Sequence, residues 1–75
     1  MNISDVMIHI NESLSREEIA ALENSLRKVE GVISPNFNPG KEHLLMISYD
    51  MEKTSSAVLL GKTRAAGYTA QLVGM

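Results

Sequence analysis

Polar and apolar residues alternate over residues 5–10, with Val6, Ile8 and Ile10 on one face and Met7 and His9 on the other. That period of two belongs to a strand with one buried face. The period then lengthens. Ile19, Leu22, Leu26 and Val29 recur at spacings of three and four, which predicts a helix over 15–29 with one apolar stripe. Glu17, Glu18 and Glu23 precede Arg27 and Lys28 along it, the charge order that the helix dipole favours. Gly31 is placed to end the helix in the left-handed conformation. A second strand is predicted over 32–37. It contains Pro35, which has no N–H to donate and therefore suits an edge strand. Asn38, Pro39, Gly40 and Lys41 predict a type II turn. A third strand follows over 42–49, with Leu45, Ile47 and Tyr49 on one face and Leu44, Met46 and Ser48 on the other. Two strands joined by a tight turn make a hairpin. Thr54, Ser55 and Ser56 offer N-caps for a second helix that runs to Ala66, with Gly67 as terminator. Leu59, Thr63 and Ala66 are expected on its inner face, beside Leu60. Gly61 inside it costs about 1 kcal/mol relative to alanine. A last strand is predicted over 68–73, with Ala70 and Leu72 on one face and Thr69, Gln71 and Val73 on the other.

The order is βαββαβ. One antiparallel sheet with both helices on one face buries every apolar stripe, which predicts an α+β, ferredoxin-like sandwich. Right-handed crossovers give the strand order 4-1-3-2 with the second strand at an edge, where Pro35 is tolerated.

Composition narrows the function classes. Seventy-five residues make one domain, 1–75, with a thin core. The absence of cysteine removes disulfides and thiolate metal sites. Nine acidic residues against seven scattered basic ones argue against nucleic acid or an anionic membrane as partner. No apolar run approaches the ~20 residues of a membrane span, and no secretory signal is visible. The expectation is a cytoplasmic domain. Enzyme chemistry finds no thiol nucleophile, no triad spacing and no glycine-rich phosphate loop. The central strands carry Met7, His9, Leu44 and Met46 in place of the exposed aromatics that RNA recognition by this fold requires.

The junction between the first strand and first helix is the most informative stretch. Ser15 reads as an N-cap, and Glu18 three residues on completes a capping box, while Leu14 and Ile19 form the hydrophobic staple. The alternative is a hard-metal or anion site at the helix N-terminus. His9, Glu12 and Glu18 are placed where they could approach one another, and imidazole with carboxylates suits Zn or Ni. His9 is expected on the open sheet face and His43 beside the hairpin turn, with their separation left open. Met7 and Met46 join His9 and Leu44 on that open face. This is an adaptable apolar patch suited to a partner or to self-association, and thioethers can also bind Cu(I).

Three segments, in order, resemble the heavy-metal-associated (HMA) domain of copper and mercury chaperones and of P-type ATPase N-terminal modules. They are Leu26-Arg27-Lys28-Val29-Glu30-Gly31-Val32, Ile47-Ser48-Tyr49-Asp50-Met51-Glu52-Lys53-Thr54-Ser55 and Arg64-Ala65-Ala66-Gly67-Tyr68. The resemblance covers about nine-tenths of the chain. It implies a metal loop at the start of the first helix, and counting back from Gly31 puts the family's Cys-x-x-Cys pair at Ser15 and Glu18. Soft Cu(I) is held by thiolates and not by a serine hydroxyl, so the resemblance carries the fold but not the metal ligands. It also implies that Tyr68 packs against this loop, and that the loop face is a docking surface.

The sequence thus predicts a small non-enzymatic HMA-like domain without a cofactor. It would act through protein contacts at Glu12, Ser13, Arg16, Glu17 and Tyr68, or through the open sheet face. The alternative is binding or delivery of a Zn, Ni or Cu ion by non-cysteine ligands at Ser15 and Glu18, with His9 and Glu12.

Overall fold

The computed structural model describes residues 2–38 and 40–73. The elements are β1 (Ile3–Ile10), α1 (Arg16–Arg27), β2 (Val32–Asn38), β3 (Lys41–Asp50), α2 (Ser56–Ala65) and β4 (Ala70–Leu72). The strands form one antiparallel sheet in the order β2-β3-β1-β4, which is the expected ferredoxin-like arrangement. Pro35 lies on the edge strand β2, opposite Ile47. Pro39 of the expected type II turn lies outside the described residues. Gly40 has the positive φ of 77° that the third position of such a turn requires.

The core follows from the two periodicities. Val6, Ile8 and Ile10 of β1 and Leu45, Ile47 and Tyr49 of β3 are buried together with Leu14, Leu22, Leu26, Leu59 and Ala70. Ile19, Val29, Val32, Phe37, Leu60 and Tyr68 pack around them half-buried. Each fully buried leucine or isoleucine contributes about 1.5–3 kcal/mol, so so small a core tolerates few truncations. The opposite sheet face carries Met7, His9, Leu44 and Met46, all half-buried, with Met7 across from Met46 and His9 across from Leu44.

Four expectations are corrected. The last strand is short, spanning Ala70–Leu72, because it pairs with β1 over Ile8–Ile10. Leu72 is 44% exposed and does not share the burial of Ala70. Ala66 is the C-cap of α2 and exposed, since the helix ends one residue earlier. α1 likewise stops at Arg27, with Lys28 as C-cap. Val29 still packs on the core because its N–H bonds back to Leu26 O at 3.0 Å.

Asp50 fastens one end of the sheet. Its Oδ1 accepts from Glu52 N at 3.0 Å and from Asn2 N at 3.4 Å, and its backbone N–H donates to Gly31 O at 2.8 Å. The contact to the residue two on is an Asx turn, and these bonds draw its carboxyl below the usual range. Gly31, at φ 97°, passes so close that an added Cβ would stand 2.7 Å from Lys53 Cβ.

A carboxylate-tied junction as the candidate functional site

At the other end of β1 the chain leaves Ile10, crosses residues 11–15 and starts α1. Ser15 is extended, at φ −70° and ψ 166°, so its hydroxyl can turn back over the first helical turn. Glu18 N–H donates to Ser15 Oγ at 3.1 Å, and Ser15 N–H donates to Glu18 Oε1 at 2.8 Å. Both halves of the capping box are therefore made. Leu14, before the cap, is buried at 8% exposure, and Ile19 packs half-buried on the same core, which completes the staple.

A second tie closes the loop from the other side. Thr69 N–H, just before β4, donates to both carboxylate oxygens of Glu12 at 2.8 and 3.1 Å. Asn11 N–H donates to Thr69 O at 2.9 Å. Tyr68 adds a third, longer link, its hydroxyl donating to Glu18 Oε2 at 3.5 Å. The β1–α1 and α2–β4 loops are thus laced together by two glutamates that each accept from the chain. Hydrogen bonds to the charged form favour it. The Thr69 amide holds the Glu12 carboxyl below the usual range, and the Ser15 amide does the same for Glu18. Burial first, and then the charge of Glu18, raises the Tyr68 phenol above its ordinary value, so it stays a donor.

This geometry places the predicted site residues differently from a ligand set. Ser15 and Glu18 meet each other, Glu12 meets Thr69, and His9 lies on the open sheet face. Among the described residues no group of three or more His, Cys, Asp or Glu could hold a metal ion. Of the expected contact residues, Glu12, Ser13, Arg16 and Glu17 are exposed and Tyr68 is half-buried. Thr69 was not expected there. Its role is a backbone one, and no side-chain pattern could reveal it.

His43 was placed by the sequence only beside the turn. Its ring lies against that of His9, with centres 5.9 Å apart and planes at 20°. Near the opposite end of β1, Ser4, Asp5, Val6, Tyr49, Ser56, Leu72 and Val73 line an open cleft of about 240 Å³, smaller than the ~300–1,000 Å³ typical of small-molecule sites. No helix of the described residues is long and apolar enough to cross a membrane.

No protein-family model matches the chain, and neither does the sequence of any curated protein. Solved structures do match. Oxidized MerP from Ralstonia metallidurans CH34 is 21% identical with a TM-score of 0.82, over 95% of this chain and 97% of that one. The N-terminal domain of a potential copper-translocating P-type ATPase from Bacillus subtilis, solved in its Cu(I)-loaded state, is 21% identical with a TM-score of 0.83, over 95% and 88%. The CopZ metallochaperone is 18% identical with a TM-score of 0.78, over 93% and 100%. At these identities the likeness shows the fold. The chain has the HMA-type ferredoxin-like fold and lacks the Cys-x-x-Cys pair.

Proposed function

We propose that this domain is a non-enzymatic contact module that meets a protein partner through the β1–α1 junction. The observation that carries this reading is the closure of the junction by its own side chains. Ser15 and Glu18 satisfy each other, and Glu12 is spent on the Thr69 amide. Groups so engaged are poor ligands. The same bonds stiffen the loop, and a stiff surface loses less conformational entropy on docking. Ser13, Arg16 and Glu17 are exposed on that surface beside Glu12, with the half-buried Tyr68 next to them. The structural neighbours support the setting: one is a metallochaperone and another a transporter's N-terminal domain, and in the resembled family the corresponding loop is a docking surface. The partner proposed here is a protein and the binding is independent of a cofactor, with the open face of Met7, His9, Leu44 and Met46 as the competing surface for a partner or a second copy.

The test is affinity capture with three forms of the chain, alongside sedimentation velocity. A protein retained by the wild type and by Met46→Ser, but lost from the double variant Arg16→Glu, Glu17→Arg, supports the junction. Loss with Met46→Ser alone would move the contact to the sheet face. A wild-type chain that stays monomeric and retains nothing contradicts the proposal.

A further inference from the structure

β4 covers only part of the strand beside it. It pairs with Ile8, His9 and Ile10, while β1 continues back to Ile3. In an antiparallel ladder the N–H and C=O of one residue turn to the same side, and successive residues alternate. Met51 N–H donates to Asn2 O at 2.7 Å, so even positions of this stretch turn to β3. Val73 N–H donates to Met7 O and Asn11 N–H to Thr69 O, each at 2.9 Å, so odd positions turn to the β4 side. Ile3 and Asp5 therefore aim their main-chain groups at that side, and among the described residues no strand meets them there.

The outer edges of the sheet are blunted. β2 carries Pro35 and two register shifts. On β4, Arg64 Nε donates to Ala70 O at 3.0 Å, an acceptor that would otherwise face outward. Proline, bulges and covered main chain are devices that keep an edge from pairing. Residues 3–6 carry no proline, and their one charged side chain is turned away: Asp5 Oδ1 accepts from Ser48 Oγ of β3 at 2.6 Å. The cleft of about 240 Å³ opens beside the same residues, lined by Ser4 and Val6 with Tyr49, Leu72 and Val73. An occupant thus meets hydrogen-bonding main chain and a mainly apolar wall together. An extended peptide satisfies both, since its backbone completes a ladder and its alternate side chains turn to one face.

We infer that residues 3–6 of β1 are a docking edge for an extended segment of a partner protein with apolar residues at alternate positions. The segment continues the β1 ladder past the end of β4. Its main chain bonds to Ile3 and Asp5. The side chains opposite Ser4 and Val6 enter the cleft, because paired residues share a face and Val6 is turned to the core. This edge lies at the opposite end of β1 from the junction and does not rest on the contact proposed there.

Amide hydrogen exchange of the free ¹⁵N-labelled chain should be fast at Asp5 and slow at Val6 and Ile8, which turn theirs to β3. Protection of Asp5 in the free chain overturns the proposal, since the edge would already be paired, by the residues after Val73 or by a second copy. Peptides selected on the chain from a random phage-displayed library should alternate apolar and polar residues, and should shift the amides of residues 3–6. N-methylation of one alternating set of a selected peptide's amides should abolish binding, while the other set is tolerated. Leu72→Glu, at a position 44% exposed, should weaken binding at least about tenfold by placing a charge in the apolar wall, with circular dichroism melts confirming the fold. Selection of no peptide, shifts confined to residues 11–19 or to the face around Met46, or equal binding by both methylated forms overturns the edge.

Discussion

The Thr69 amide donates to both carboxylate oxygens of Glu12, at 2.8 and 3.1 Å, across 57 residues of chain. This bond makes the β1–α1 junction a closed structure instead of a free loop. It has a measurable pH signature.

Glu12, Glu18 and Asp50 each have a carboxyl held below the usual range, by the amides of Thr69, Ser15 and Glu52 respectively. A depressed folded-state value means that the unfolded chain binds the proton more readily. The stability from these groups is complete above the unfolded-state values and is lost as pH falls through the folded ones. Thermal melts should therefore hold level near neutrality and decline as pH drops below about 4. Glu12→Gln should lower the neutral plateau and flatten the acid decline. An unchanged acid limb in that variant would remove Glu12 from the account.

Ser15→Ala removes the acceptor for Glu18 N–H. The expected loss is about 1 kcal/mol, or a Tm lower by about 4–8 °C for a domain of this size. Ser15→Asp should retain most of the stability, since aspartate caps as well as serine. Melting curves of the two variants distinguish loss of the cap from loss of any other role of the hydroxyl.

Much of this junction was legible in the sequence, since a capping box and a staple are local patterns. β1 and α1 were equally clear, because alternation and the three-four spacing need no tertiary information. Pro35 located the edge strand for the same reason: a missing N–H is a property of one residue. Other features depended on distant partners. β4 ends at Leu72 because its pairing with β1 covers Ile8–Ile10, and no pattern within 68–73 encodes that. The His9–His43 stack joins residues of two different strands, and no pattern within either strand encodes it. The fastening by Asp50 joins Asn2, Gly31 and Glu52, and only the Asx turn to Glu52 is local.

Gly31 and Gly67 offer an internal comparison. Both have positive φ, 97° and 101°, so alanine at either is strained by roughly 1–2 kcal/mol. At Gly67 a new Cβ meets nothing within 4 Å, whereas at Gly31 it meets Lys53 Cβ at 2.7 Å and Thr54 Cγ2 at 3.3 Å. Denaturant unfolding should show Gly31→Ala as the more damaging substitution. Equal losses would mean that the turn after Asp50 yields without penalty.

Restoring the thiol pair tests the positional equivalence that the family resemblance implies. The double variant Ser15→Cys, Glu18→Cys loses both halves of the capping box. Without metal under reducing conditions it should melt below the wild type. Addition of Cu(I) should raise its Tm, because a ligand that binds the folded state alone stabilises it. A variant that folds and gains no Cu(I) affinity would show that these positions do not face a common ion.

The central claim is that the β1–α1 junction does contact chemistry and not coordination chemistry. Amide shifts of the wild-type chain on addition of one equivalent of Cu(I), under reducing conditions, test this most directly. The account predicts no saturable movement across residues 11–19. Saturable shifts centred on Ser15 and Glu18 would contradict it.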